Sequence, residues 1–202
     1  MTILWSWETN RVSDNISLFA NWSNGFRAPQ TTDLYRLQNQ QSIGTIDSEE
    51  VNSIEAGIRG AYQTLTFQGV IYRMQKDNFF FRDDDGLNVT DGETNHSGVE
   101  LTASISLLNN LRFLANYAYA KHEYDFDRLS SGVVNGNEID TAPRQQGNAR
   151  LEWQPTNATN LALEWQHIGS YFLDPANEHE YAGHDLFNIR AHWQINEQIR
   201  LN

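Results

Sequence analysis

Apolar and polar residues alternate one for one along most of this chain, and that alternation restricts the fold more than any other feature. Ile3, Trp5 and Trp7 alternate with Leu4, Ser6 and Glu8; Ile16, Leu18, Ala20 and Trp22 alternate with Ser17, Phe19, Asn21 and Ser23. Ile54, Ala56 and Ile58 repeat the pattern, and Val99, Leu101, Ala103, Ile105 and Leu107 extend it. Leu111, Phe113, Ala115, Tyr117 and Tyr119 follow, then Ala149, Leu151 and Trp153, then Leu161, Leu163 and Trp165. Phe187, Ile189, Ala191, Trp193 and Ile195 close the series against Asn188, Arg190, His192 and Gln194. Neighbouring side chains on a strand point to opposite faces, so each segment is a β-strand with one oily and one wet face. Residues 65–82 also read as a strand, but the alternation drifts around Gly69 and Tyr72 and leaves the inward face open. No segment carries the i, i+3, i+4, i+7 apolar stripe of a helix.

Two architectures accept such strands. In a soluble sandwich the oily face turns in onto a packed core. In a membrane barrel it turns out onto lipid, and the polar face borders a wet interior. The oily rows carry Trp5, Trp7, Trp22, Tyr117, Tyr119, Trp153, Trp165 and Trp193 near strand ends, where amphipathic rings form an interfacial girdle. Loop lengths then separate the two. Short connections at Thr9–Asp14, Gln63–Thr64, Leu108–Asn110, Pro155–Asn160 and Asn196–Gln198 alternate strictly with long ones. The long ones run about Asn24–Glu50, Asp83–Thr94, Phe126–Ala142 and Leu173–His184. In a meander, alternate connections share one end of the sheet, so tight turns gather at one end and long loops at the other. The fold class expected is all-β: an antiparallel up-and-down transmembrane β-barrel segment of about ten strands, forming a single partial domain over 1–202.

Composition narrows the function. A formal charge of −12 excludes a phosphate-binding footprint for nucleic acid. With no cysteine there is neither a disulfide framework nor a thiolate site. The longest purely apolar run, Tyr117-Ala118-Tyr119-Ala120, falls far short of a spanning helix. MTILWSWETN lacks the basic start and apolar core of an export signal, and Ile199-Arg200-Leu201-Asn202 stops inside a new alternating segment; both fit an internal piece of a longer protein.

Chemistry-bearing clusters are few. His179-Glu180-Tyr181-Ala182-Gly183-His184 superficially suggests a zinc-protease motif, yet its histidines stand 184 − 179 = 5 positions apart beside a glycine. That motif needs i and i+4 on one helical face. Asp83-Asp84-Asp85-Gly86 lacks the twelfth-position Glu of an EF-hand and reads as a solvated turn. No feature assembles a Ser, a base and an oxyanion hole, so no catalytic residue, resident metal or cofactor is expected. Arg27, Tyr35, Arg36, Arg82, His96, His122 and Arg144 lie at the long-loop end. Arg clamps carboxylates and aromatics cover apolar ligand parts, which suits capture of an anionic ferric chelate; taken singly, each reads more simply as a rim residue bonded to a neighbouring acid or lipid headgroup.

An ordered set of segments resembles the C-terminal barrel of TonB-dependent outer-membrane receptors. Ser23-Asn24-Gly25-Phe26-Arg27-Ala28-Pro29 is similar to the family's S-x-G-F-R-A-P passage and runs into Asp33-Leu34-Tyr35-Arg36-Leu37. Ser53-Ile54-Glu55-Ala56-Gly57, after Asp47-Ser48-Glu49-Glu50, resembles its P-E-x-S-x-x-x-E-x-G strand without the usual proline. Val70-Ile71-Tyr72-Arg73-Met74-Gln75-Lys76-Asp77, Gly98-Val99-Glu100-Leu101, Ala142-Pro143-Arg144 and Gly169-Ser170-Tyr171 continue in order, as does Tyr181-Ala182-Gly183-His184-Asp185-Leu186. The resemblance implies a barrel of about twenty-two strands around an N-terminal plug. It implies a Gram-negative outer membrane, contact with lipid and lipopolysaccharide, and uptake of an iron chelate, most naturally a ferric siderophore, at the extracellular mouth. Energy would come from the TonB complex acting on the plug, which together with the closing strand is missing from residues 1–202. A passive porin or a barrel hydrolase are the alternatives.

Overall fold

The computed structural model describes residues 3–29, 47–82, 88–127, 134–196 and 199–201. Its strands are β1 (Ile3–Ser13), β2 (Ile16–Arg27), β3 (Glu49–Ala61), β4 (Leu65–Arg82), β5 (Asn88–Leu108) and β6 (Leu111–Tyr124). They continue with β7 (Gln145–Thr156), β8 (Thr159–Ile168), β9 (Tyr171–Phe172), β10 (Glu180–Tyr181), β11 (His184–Gln194) and β12 (Arg200–Leu201). One 10-stranded sheet runs β1-β2-β3-β4-β5-β6-β7-β8-β11-β12, each pair antiparallel, while β9 and β10 form a small hairpin of their own. Strand follows strand without a crossover, as expected for an up-and-down barrel wall.

Alternation translates directly into two rows. On the oily row Ile189 is 80% exposed, Phe187 70%, Ile71 59% and Leu101 50%. Leu18, Trp22, Ile54, Ile58, Val99, Leu163 and Trp193 are exposed beside them. Burial of such side chains is worth about 1.5–3 kcal/mol each, so a continuous exposed oily face is stable only against something apolar. The opposite row is polar and cross-linked. Asn21 donates to Glu55 at 3.3 Å and Asn148 to Glu164 at 3.0 Å. Arg150 lies 3.2 Å from Glu152 and Arg190 lies 3.4 Å from Glu164. A wet interior keeps these charges solvated; a sealed core would not.

The oily rows line up across strands. Leu65, Ile105, Phe113, Leu151, Leu163 and Ile189 are register partners in succession, giving one apolar line across the sheet. The band's upper edge is oblique to such lines. On β2 and β3 it reaches Trp22 and Ile54; on β8 and β11 it stops near Trp165 and Phe187, beyond which His167 and Asp185 take over. The register line through Trp165 passes Ala149, Ala115, Ala103, Phe67 and Gly60 and meets β2 at Ile16, 22 − 16 = 6 residues below Trp22. Those residues span about 20 Å of strand while the crossing from β2 to β11 spans about 34 Å, so a flat slab requires strands tilted by about 30°. Membrane barrels have about 35–45°.

Glycines on both rows sit under rings from the neighbouring strand. Phe19 covers Gly57, where an added Cβ would lie 2.4 Å from the ring, and Phe67 covers Gly60 at 2.3 Å. Tyr72 covers Gly98, whose missing Cβ would also meet the Tyr119 carbonyl at 2.7 Å. Such ring-over-glycine pairs pin register in curved sheets.

Register refines the expected strands. Pairing sets Trp5 opposite Ser23 and Trp7 opposite Asn21. The connection expected over Asp83–Thr94 is largely strand: β4 extends to Arg82 and β5 starts at Asn88. Register shifts on either side of Phe79, with Asn78 at φ 54°, change the parity of the row and hide this extension from an alternation reading. The drift at Gly69 and Tyr72 resolves, with Ile71 outward and Val70 and Tyr72 on the polar row.

Candidate ligand-binding rim

The tight ends are closed by ordinary turns: Tyr62 donates its N–H to Leu65 O at 2.7 Å and Ile195 donates to Ile199 O at 3.0 Å. The rim residues expected from sequence that the structure describes lie at the other end. There the outward row turns polar, as Ser97 pairs with Lys121 and Asn95 with Glu123 in place of Val99 and Tyr119. Residues at this level therefore stand outside the membrane-spanning band.

Two long connections lock into one body. Asn177, at φ 59°, donates its amide to Glu138 O at 2.9 Å, and its Oδ1 accepts from the Glu138 N–H at 2.8 Å. Asn137 donates to Pro175 O at 3.0 Å and the Thr141 N–H to Phe172 O at 2.8 Å. Inside the first connection Val134 is 1% exposed, and Tyr124 donates to Asp140 at 2.5 Å. Asp174 organises the second: its carboxylate accepts the N–H groups of Glu178 and His179 and contacts His179 Nδ1 at 3.0 Å, which hold it below the usual carboxylate range. Asp-Pro-Ala-Asn over 174–177 is a turn signal legible from sequence, whereas its clamp on Glu138 is not.

Of the seven rim residues expected from sequence, the structure describes the side chains of Arg27, His96, His122 and Arg144. Arg27 is paired with Glu49 at 2.5 Å, and Lys76 reaches the other oxygen of the same carboxylate at 3.2 Å. Arg144 makes a two-pronged pair with Glu138, whose side chain is nearly buried. Both arginines remain about half exposed, so an incoming carboxylate has one face to reach. Arg82 ends β4 opposite Asn88. Tyr35 and Arg36 lie outside the described residues, as does Asp83-Asp84-Asp85-Gly86. Among these described side chains His96 and His122 come together, on the pore-facing row of β5 and β6, with Nδ1 atoms 2.7 Å apart and ring centroids 5.0 Å apart. Thr94, 2% exposed and not foreseen as a participant, holds His96 Nε2 at 2.9 Å. Burial first, then His122 and Lys76, lower the His96 pKa to about 4; burial lowers His122 as well. Both imidazoles are neutral at neutral pH.

The histidines of His179-Glu180-Tyr181-Ala182-Gly183-His184 part ways: His179 faces Asp174, and His184 Nδ1 meets Tyr181 OH at 2.9 Å. Gly183, at φ 83°, turns the chain where a Cβ would strike Ile168 O at 2.4 Å. Tyr171, Tyr181 and His184 form a second aromatic group, the tyrosine centroids 5.1 Å apart. Among the described residues no group of three or more His, Cys, Asp or Glu side chains could hold a metal. No helix is long and apolar enough to cross a membrane.

An antiparallel meander with an oily outer row, a polar inner row, turns at one end and interlocked loops at the other is a segment of barrel wall. The chain belongs to the TonB dependent receptor-like, beta-barrel family, whose model matches residues 4–202. Solved structures share the fold. The ferric citrate transporter FecA in its unliganded form matches with TM-score 0.82 and 20% identity, over 97% of this chain and 31% of that one. The ferric yersiniabactin uptake receptor FyuA of Yersinia pestis matches at 0.77 and 15%, over 98% and 30%. The siderophore receptor PiuA of Acinetobacter baumannii matches at 0.76 and 18%, over 96% and 29%. The chain thus spans under a third of each of these receptors' own length. No curated protein sequence matches it.

Proposed function

We propose that residues 1–202 supply wall and outer loops to one barrel domain of an outer-membrane receptor that takes up an iron chelate, most naturally a ferric siderophore, by TonB-driven transport. The observation that carries the reading is the exposed oily row, continuous across the sheet and bounded above by a rim in which residues 137–141 and 172–177 of two connections interlock. Interlocked loops suit capture, since a preordered rim loses less entropy on binding. The rim chemistry suits an anionic chelate. Arg27 and Arg144 present half-exposed guanidinium groups, each held in place by a carboxylate that the ligand would displace or join. Tyr171, Tyr181 and His184 offer aromatic faces for the apolar part of such a ligand. The solved structures sharing this fold include proteins named for ferric citrate, ferric yersiniabactin and siderophores, which supports iron among the ligands of the scaffold. No covalent step is part of the function: the chain binds and passes its cargo, and the TonB complex, reaching it through a plug outside residues 1–202, provides the work. Lipid and lipopolysaccharide are its standing neighbours.

The test is growth. A strain lacking the gene, supplied with single iron sources, will fail on one chelate and recover on the intact gene. Unimpaired growth on every iron source would reject the iron reading. Loss of passive solute leak instead of energy-dependent uptake would favour the porin alternative.

A further inference from the structure

We propose that Met74, His96 and His122 form a copper-binding site on the pore-facing wall just above the membrane band. The site goes beyond the iron-chelate reading and does not depend on it.

Its geometry is set by register. Met74 on β4 is the partner of His96 on β5, which is the partner of His122 on β6, so a thioether and two imidazoles occupy one cross-strand line on one face. Directly opposed residues have Cβ atoms about 4.5–5.5 Å apart, within reach of one ion for side chains of this length. The two Nδ1 atoms are 2.7 Å apart. Nitrogens bound to one metal at about 2.0–2.1 Å stand about 2.9 Å apart at a right angle and about 3.3 Å apart at the tetrahedral angle. The observed spacing is that of a hydrogen bond between the rings, about 0.2 Å short of the right-angle value, so a small opening of the pair admits one ion. Thr94 supplies the outer contact. With His96 Nε2–H donating to its hydroxyl at 2.9 Å, Nδ1 keeps its lone pair pointed at the site. Without metal, His122 donates its Nδ1 proton to that lone pair. Binding moves that proton to His122 Nε2 and frees a second lone pair, so the net proton count is unchanged.

The donor set selects the metal. Imidazole suits copper in both oxidation states, thioether suits Cu(I), and Cu(II) stands at the top of the divalent affinity order. Iron chelates bring their own oxygen donors and have no use for a thioether. The nearby cation is answered: Lys76, paired with Thr94 beside the site, lies 3.2 Å from Glu49. Tyr124, on the same row, is engaged with Asp140.

The experiment uses the full-length receptor in detergent. Cu(II) is titrated with paramagnetic resonance detection, and Cu(I) by competition with a chromophoric chelator. The wild type is expected to bind one equivalent of Cu(II) showing coupling to two nitrogens. His96→Gln and His122→Gln are each expected to weaken Cu(II) at least tenfold. Met74→Leu is expected to weaken Cu(I) at least tenfold and to leave Cu(II) within about twofold. A wild-type spectrum without nitrogen coupling overturns the site, whatever the folding of the variants. So does a double His96→Gln, His122→Gln variant that titrates like wild type. Unchanged Cu(I) affinity in Met74→Leu removes the thioether and overturns the three-residue site. Growth on iron chelates is read separately, so failure here leaves that reading standing.

Discussion

Ile189→Arg is the substitution on which a lipid-facing and a water-facing row differ most. Ile189 is 80% exposed, on the outward row of β11 opposite Leu163. It lies 194 − 189 = 5 residues from the strand end at Gln194. That is about 17 Å of strand and, after tilt, about 13–15 Å above the turn, close to the middle of an apolar band about 25 Å tall. Arginine at a barrel's midplane costs about 2–4 kcal/mol, which lowers the folded-to-unfolded ratio by about 30- to 1,000-fold. The same change at a water-exposed strand position stays within about 0.5 kcal/mol. The assay is reversible denaturant unfolding of the full-length protein in phosphatidylcholine vesicles. Arginine is placed singly at Phe187, Ile189, Ala191 and Trp193, and at Asn188 as the pore-facing control. The cost should peak near Ile189, fall toward Trp193 at the turn end, and be smaller at Asn188, which pairs with Glu164 on the polar row. A neutral Ile189→Arg, or an Asn188→Arg costing more than it, would refute the orientation.

Other outcomes follow from the rim and the sheet. Asn177→Ala removes both hydrogen bonds to Glu138 and leaves alanine at φ 59°; hydrogen exchange at residues 137–139 should accelerate by about tenfold or more with the barrel strands unaffected. Gly98→Ala forces a Cβ to 2.7 Å from the Tyr119 carbonyl and should cost about 1–3 kcal/mol in the same vesicle assay. His96 should show no titration by NMR from pH 8 down to 5, consistent with its pKa of about 4. Its folded pKa lies below the ordinary value near 6.5, so the unfolded rim binds more protons between these values. The local stability is therefore complete above about pH 6.5 and declines as pH falls toward 4, visible as smaller protection factors of the rim amides in acid once the slower intrinsic exchange is divided out.

The strands were legible because lipid on one side and water on the other leave each position little choice. Leu101, Phe113, Leu163 and Ile189 all announce their row. Legibility fails where a backbone irregularity shifts parity, as at Asn78 and Phe79. At the rim, sequence supplied candidate residues but not their partners. Glu49 sits far along the chain from Arg27 and Lys76, and only strand pairing shows that it engages both. His96 and His122 are distant in sequence and adjacent by register alone. Thr94 carries no signature at all: a threonine entering a strand becomes significant only when its hydroxyl faces an imidazole.

Residues 1–202 contain no cysteine, so a fluorophore can be attached at single introduced cysteines and challenged with lipid-borne and water-borne quenchers. Labels at Leu101, Leu163 and Ile189 in the vesicle-embedded protein should be quenched from the acyl chains, and labels at Thr102, Glu164 and Asn188 from water. Equal or inverted quenching along those neighbouring pairs would contradict the account at its root.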